Sequence, residues 1–165
     1  MSLLKSPLCS FCIDSGTLCN ACEKKLEDGM VTKLDLELIK FLNEKYHDFD
    51  VEYLSSFEGR DIIIIFMKGD IGGIVGKGGK GALELKKIFG KKIKIINMNG
   101  KIKEVVSDII HPIKLVGINT VYKADKELIK IRFLKKDFAK MPIDINSLKK
   151  ILFNLFDKDI EIVFE

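Results

Sequence analysis

From Ile62 to Met98 the chain reads IIIIFMKGDIGGIVGKGGKGALELKKIFGKKIKIINM. An apolar run, Ile62–Met67, opens the stretch, a glycine cluster, Gly76-Lys77-Gly78-Gly79, breaks its middle, and Lys92–Met98 closes it with a second apolar segment. The opening run suits a strand buried on both faces and is far too short to span a bilayer. Displaced by 67 positions, the stretch falls on residues 129–165 without a gap. Identities then appear at Ile62/Ile129, Ile64/Ile131, Phe66/Phe133, Lys68/Lys135, Asp70/Asp137, Leu85/Leu152, Phe89/Phe156, Lys91/Lys158, Ile93/Ile160 and Ile95/Ile162. Self-similarity at a fixed displacement marks a duplicated structural unit.

Working outward, Leu34, Leu36, Leu38, Ile39, Leu42 and Tyr46 recur at helical spacing and predict a helix over 34–47. Val51–Phe57 alternates as a strand, Glu58-Gly59-Arg60 turns the chain, and a second, fully buried strand is predicted over 61–67. A short helical stretch at Asp70–Val75 leads into the glycine cluster, a helix over 80–89 with Leu83, Leu85, Ile88 and Phe89 apolar ends at Gly90, and a strand follows at Lys92–Met98. The order is α-β-β-α-α-β. After the Asn99-Gly100 turn, Ile102–Ile110 and Ile113–Tyr122 supply the first helix and strand of the second copy. Phe89, Phe153 and Phe156 fall at helical spacing and are expected in the core. The fold class is therefore α+β, with one unit at 34–99, another at 101–165 and a small module at 1–30.

The copies differ in their middle loops. Gly76-Lys77-Gly78-Gly79 aligns with Ile143-Asp144-Ile145-Asn146, preceded by Pro142. Gly81 and Ala82, small enough to let a helix approach a backbone, become Leu148 and Lys149. The second copy reads as scaffold.

All four cysteines lie in Cys9-Ser-Phe-Cys12-Ile-Asp-Ser-Gly-Thr-Leu-Cys19-Asn-Ala-Cys22. Two C-x2-C knuckles supply four thiolates, the ligand number of a closed tetrahedral site. Gly16 can supply the reversal that brings the second pair to the first. Neither knuckle has the flanking βαβ pattern of a thioredoxin-like redox pair. Structural Zn2+ held by Cys9, Cys12, Cys19 and Cys22 is the expected cofactor, with iron or unmetallated thiols as the alternatives. Such a metal substitutes for the core that some twenty residues cannot build.

Of 165 residues, 47% are hydrophobic and 32% charged, which supports a packed core and argues against long disorder. Charge and proline enter too early in Met1–Pro7 for a secretory signal, so a soluble, cytoplasmic protein is expected, with no membrane partner. The net charge of +4 is unevenly placed: Arg60–Lys103 holds eleven Lys/Arg against three acids, a local net of +8, and the remainder is −4. That segregation suits a polyanion-binding face.

A glycine loop between two helices exposes backbone N–H groups without side-chain bulk, and Lys77 and Lys80 flank it. Gly76–Gly81 also satisfies G-x-G-x-x-G, but a helical segment separates it from its strand and no acid lies between Glu84 and Glu104, so a dinucleotide site is not supported. Lys77 is followed by Gly78 and not Ser or Thr, which excludes a P-loop. His47 and His111 stand alone, so no nucleophile, base or open metal position marks an enzyme, and no small-molecule substrate is expected.

The stretch Ile74-Val75-Gly76-Lys77-Gly78-Gly79-Lys80-Gly81-Ala82-Leu83-Glu84-Leu85 resembles the KH signature, in which an apolar residue precedes G-x-x-G and a helix follows. The α-β-β-α-α-β order is that of the prokaryotic, type II KH fold. Two such units behind a four-cysteine module resemble the archaeal NusA-related KH proteins. The resemblance implies a non-enzymatic protein that clamps about four nucleotides of single-stranded RNA. The sugar–phosphate backbone would pass Gly76, Lys77, Gly78, Gly79 and Lys80, and bases would lie in a groove lined by Ile74, Ala82, Lys94 and Ile95. It further implies a role in transcription elongation or termination, with RNA polymerase as a candidate partner. Ribosome assembly with ribosomal components, RNA turnover and a protein–protein adaptor are the alternatives. Lys86-Lys87 and Lys91-Lys92 either extend the RNA track or form a solvated helix face and end.

Overall fold

The computed structural model describes residues 3–165, with every side chain among them except that of Lys77. It divides into two compact units, Met1–Asn99 and Gly100–Glu165.

The first unit begins with two short helices, α1 (Ser10–Ser15) and α2 (Asn20–Glu27), followed by α3 (Lys33–Tyr46). Thr32 starts α3 with a capping box: its hydroxyl accepts from Asp35 N–H at 3.2 Å, and Asp35 Oδ2 accepts from Thr32 N–H at 2.8 Å. Asp35 is buried, and its other oxygen accepts from the Tyr53 hydroxyl and from Ser56 Oγ at 2.6 Å. This carboxylate therefore joins the helix start to the first strand. Burial, and then the negative charge of Asp35, push the Tyr53 phenol upward, so it stays a donor.

Strands β1 (Val51–Glu58) and β2 (Ile62–Gly69) pair antiparallel, with a bulge between Tyr53 and Ser55. A parallel neighbour, β3 (Lys92–Asn97), completes the sheet in the order β1-β2-β3. Parallel pairing requires a crossover. Here it is α4 (Gly72–Val75), a 3-10 turn at Lys77–Gly79 and α5 (Lys80–Phe89). All six residues Ile62–Met67 are buried. Ile63, Ile65 and Met67 share a cluster with Leu38, Ile39 and Leu42 of α3, Ile74 of α4 and Leu85 of α5.

Leu4, Leu8, Cys12, Cys22 and Val31 belong to that same cluster. The N-terminal segment is also tied to the edge of β1: Lys5 N–H donates to Val51 O at 2.9 Å, and Tyr53 N–H donates to Lys5 O at 2.8 Å. The cysteine-bearing segment has too few apolar residues for a core of its own and shares that of the sheet.

The second unit repeats the plan with α6 (Ile102–Ile110), β4 (Gly117–Lys123), β5 (Lys126–Phe133), a 3-10 segment at Lys135–Lys140, α7 (Ile145–Phe156) and β6 (Asp159–Phe164). Its sheet has the order β4-β5-β6, antiparallel then parallel. Asp157 ends α7 at φ 53°, the place where Gly90 ends α5 at φ 72°. The parallel ladder is one residue out of step: Ile62 faces Lys92, but Ile129 faces Ile160. The expected strand over 113–122 starts later, at Gly117, because Ile113 closes a turn by donating to Ile110 O at 3.0 Å.

Phe153 corrects the expected core. Leu148, Ile151 and Leu152 form the buried stripe of α7, and Phe153, turned roughly 100° from Leu152, is 48% exposed. Leu83 and Ile88 of α5 likewise stand out at 54% and 58% exposure. No helix among the described residues is long and apolar enough to cross a membrane.

Candidate nucleic-acid interface and metal centre

The glycine loop is built from backbone conformations that only glycine adopts easily. Gly76 has φ 69° and ψ 176°, Gly78 φ 65° and Gly79 φ 75°. A Cβ on Gly78 or Gly79 would meet no atom within 4 Å, so both present open backbone. Gly81 serves a different purpose. A Cβ there would lie 1.9 Å from the Ile74 carbonyl oxygen, so its absence lets the start of α5 rest on the end of α4. The sequence-level expectation of a close helix–backbone approach at Gly81 is met by this contact. The Gly79 N-cap of α5 makes no side-chain capping bond.

Around this loop the expected residues take different stations. Lys80 is exposed at the start of α5; Ala82, Lys94 and Ile95 are half-buried, and Ala82 and Ile95 pack against the core cluster. Ile74 is 1% exposed and lies in the core beneath the loop, so its side chain does not line a groove. An apolar residue before G-x-x-G can equally be an anchor, and sequence alone does not separate the two. The Lys77 side chain lies outside the described groups. Lys91 donates to Glu58 at 3.1 Å and to the Gly59 carbonyl at 3.0 Å, which pins the β1–β2 turn. Lys86 and Lys87 are both exposed, but helical phase puts Lys86 on the flank of Ala82 and Lys87 on that of Leu83.

The four cysteine sulfurs lie within 4.8 Å of one another. Cys9 Sγ is 3.3 Å from Cys12 Sγ and 3.9 Å from Cys19 Sγ. A tetrahedral zinc with arms of about 2.3 Å has sulfur–sulfur edges of about 3.8 Å, so this cluster is of the right size. Its construction is two-fold. Cys9 and Cys19 are the N-cap residues of α1 and α2, and Cys12 and Cys22 are buried inside the same helices. Cys19 N–H donates to Cys12 Sγ at 3.1 Å, and Cys9 N–H donates to Cys22 Sγ at 3.4 Å. Gly16 turns the chain between them at φ 76°. These helix caps were not anticipated from the knuckle spacing.

The thiols have unequal acidities. A backbone N–H at Cys22 and then the Cys12 thiol lower Cys19 to about 7. For Cys12 the Cys19 N–H acts downward, but burial and the three neighbouring sulfurs push it up to about 12. Four thiolates this close repel one another, and a bound cation removes that obstacle. The cluster suits a metal ion.

No protein-family model matches the chain. The "Probable transcription termination protein NusA" of Methanococcus vannielii is 34% identical over 64 residues, which are 39% of this chain and 37% of the relative. Over those 64 residues the chain is distantly similar to archaeal NusA. It matches well under half of that NusA protein's length. The crystal structure of APE1850 superposes with a TM-score of 0.55 at 16% identity, covering 81% of this chain and 99% of that one. That likeness bears on the fold, which is α+β with two tandem KH-like units behind a four-cysteine cluster.

Beyond the residues expected from the sequence, the structure has aromatic side chains behind the glycine loop. Tyr46 and Phe49 pack there with ring centroids 5.7 Å apart. They sit at and just past the end of α3, far from the loop in sequence, and nothing in the local pattern distinguishes them from ordinary core residues.

Proposed function

We propose that this protein is a non-enzymatic, single-stranded RNA-binding factor of NusA type, acting in transcription elongation or termination. The observation that carries the reading is the Gly76–Gly79 loop: left-handed glycines, open space above Gly78 and Gly79, and a helix start without a side-chain cap. Backbone N–H groups at such a helix start attract anions. Lys77 and Lys80 add charge for the phosphates, and Ala82, Lys94 and Ile95, with Lys86 on the same flank, line the groove for bases. The relative's description as a probable transcription termination protein supports transcription over ribosome assembly or RNA turnover, and RNA polymerase is the partner this implies. Cys9, Cys12, Cys19 and Cys22 hold a structural Zn2+, which fixes the two helix starts. The reading covers a KH unit at 34–99 and a degenerate one at 101–165.

Fluorescence anisotropy with random single-stranded RNA at two salt concentrations tests this. The double substitution Lys77→Asp, Gly78→Asp should abolish binding with an unchanged circular dichroism spectrum, because Asp tolerates a left-handed φ and position 78 has room. The second-unit control Asp144→Asn should leave affinity unaltered. Undiminished affinity in the double variant would refute the loop assignment.

A further inference from the structure

A Cβ on Gly78 or Gly79 would meet no atom within 4 Å, so no side-chain packing at those positions holds the loop, and its shape follows the spacing of α4 and α5. Two aromatic rings touch both helices. Phe49 lies against α4: a Cβ on Gly73 would be 2.1 Å from Phe49 Cε1 and 2.6 Å from its Cδ1. Gly73 is absent from the left-handed glycines, so this contact, and not backbone conformation, is what requires glycine there. Tyr46 lies against α5: a Cβ on Gly81 would be 3.4 Å from the Tyr46 hydroxyl oxygen.

The bracket is itself braced. Tyr46 and Phe49 pack at 58° to one another, Phe41 stands behind Tyr46 at 6.4 Å, and Phe49 N–H donates to Tyr46 O at 3.1 Å. The adjacent Lys45 pairs with Glu84 of α5 at 3.0 Å. Burial, then the charge of Glu84, raise the Tyr46 phenol and keep it neutral. In the second unit, which lacks the glycine loop, Lys140 and Leu148 replace Gly73 and Gly81. Gly73, which admits the Phe49 ring, and Gly81, which admits the Ile74 carbonyl, are absent from that copy together with the glycines of the loop.

We propose that Tyr46 and Phe49 are positioning residues that fix the α4–α5 spacing and so preshape Gly76–Gly79 for a phosphodiester backbone. The grip on RNA rests on the function proposed above; the shaping of the loop does not. A loop held open in advance loses little conformational entropy on binding, whereas an unbraced run of glycines loses much.

The test compares the full-length wild type with Phe49→Ala, Phe49→Tyr and Tyr46→Phe by hydrogen-exchange mass spectrometry and by RNA anisotropy over a salt series. Phe49→Ala should accelerate exchange across residues 72–81 about tenfold while β2 stays protected, and should weaken RNA binding about tenfold. Its salt slope should be unchanged, because no phosphate contact is removed. Phe49→Tyr, which keeps both rings and the Tyr46 hydroxyl, should behave as wild type, and Tyr46→Phe, which removes the hydroxyl that meets α5, should show a smaller change of the same kind. Exchange at 72–81 that is unaltered, or that rises equally in β2, overturns the proposal. If the wild type itself binds no RNA, the functional reading fails, and the exchange arm alone decides the bracket. Should Phe49→Ala not fold, Tyr46→Leu carries the same comparison.

Discussion

Replacing Gly81 by alanine separates loop geometry from fold stability. The new Cβ would lie 1.9 Å from the Ile74 carbonyl oxygen and 3.0 Å from the carbonyl carbon, both backbone atoms with no rotamer to change. Non-bonded approaches of that kind have to exceed about 3 Å, so α5 has to withdraw from α4 by about 1 Å. Overpacking costs about 1–3 kcal/mol, and the better helix propensity of alanine returns up to about 1 kcal/mol. A net loss of about 1 kcal/mol lowers Tm by about 2–4 °C in a chain of this size. The same displacement moves one wall of the glycine loop, and RNA affinity should fall at least about tenfold. Gly29→Ala is the matched control: its φ of 77° makes alanine strained, nothing lies within 4 Å, and it is outside the loop. It should cost about 1 kcal/mol as well and leave RNA binding intact. Urea denaturation and anisotropy on the two variants give the comparison. Equal RNA affinity in Gly81→Ala and Gly29→Ala would refute the claim that helix spacing sets the grip.

Asp35→Ala removes the acceptor shared by Thr32, Tyr53 and Ser56 and should cost about 3 kcal/mol in urea unfolding, through a lost cap and stranded buried donors; Tyr53→Phe, which leaves the other donors in place, should cost about 1 kcal/mol. After chelation, iodoacetamide should label Cys19 before Cys12 at neutral pH, following thiols near 7 and 12, and a bound metal should protect both. Because the Cys19 thiol is depressed, it is a thiolate above about pH 7 and takes up a proton below it. Zinc affinity measured against a chromophoric chelator should accordingly fall from pH 8 to pH 6.

Apolar periodicity is a local property, and it revealed the strands and helices of both copies, down to α5 at Lys80–Phe89. Glycines in left-handed conformations are local too, which is why the loop could be located before its structure. What the sequence did not disclose depends on contacts between distant residues. Ile74 and Ile95 are both apolar neighbours of the loop, yet one is buried in the core and the other is half-buried at the sheet edge. Phe153 keeps helical spacing with Phe156 but lies off the buried stripe of its helix. The one-residue offset of the second parallel ladder leaves the aligned identities untouched. The cysteine spacing revealed four clustered thiols, but the sharing of a core between Cys12, Cys22 and α3 followed only from the fold.

The two copies start the equivalent helix in different ways, α7 two aligned positions earlier than α5, and the contrast bears on the proposed function. In the second unit Asp144 caps α7: its carboxylate accepts Ser147 N–H at 3.0 Å and the Ser147 hydroxyl at 2.6 Å. Those bonds, the Ser147 hydroxyl first and its N–H second, hold the Asp144 carboxyl below the usual range. In the first unit the chain enters α5 through Gly76, Gly78 and Gly79, and no side chain supplies the cap. Both helices carry donors at the first turn that need an acceptor. One copy provides a carboxylate from its own chain. On the proposed reading, the other leaves the place to an anion from outside, and a phosphate of single-stranded RNA answers the charge and shape of an open glycine loop flanked by lysines.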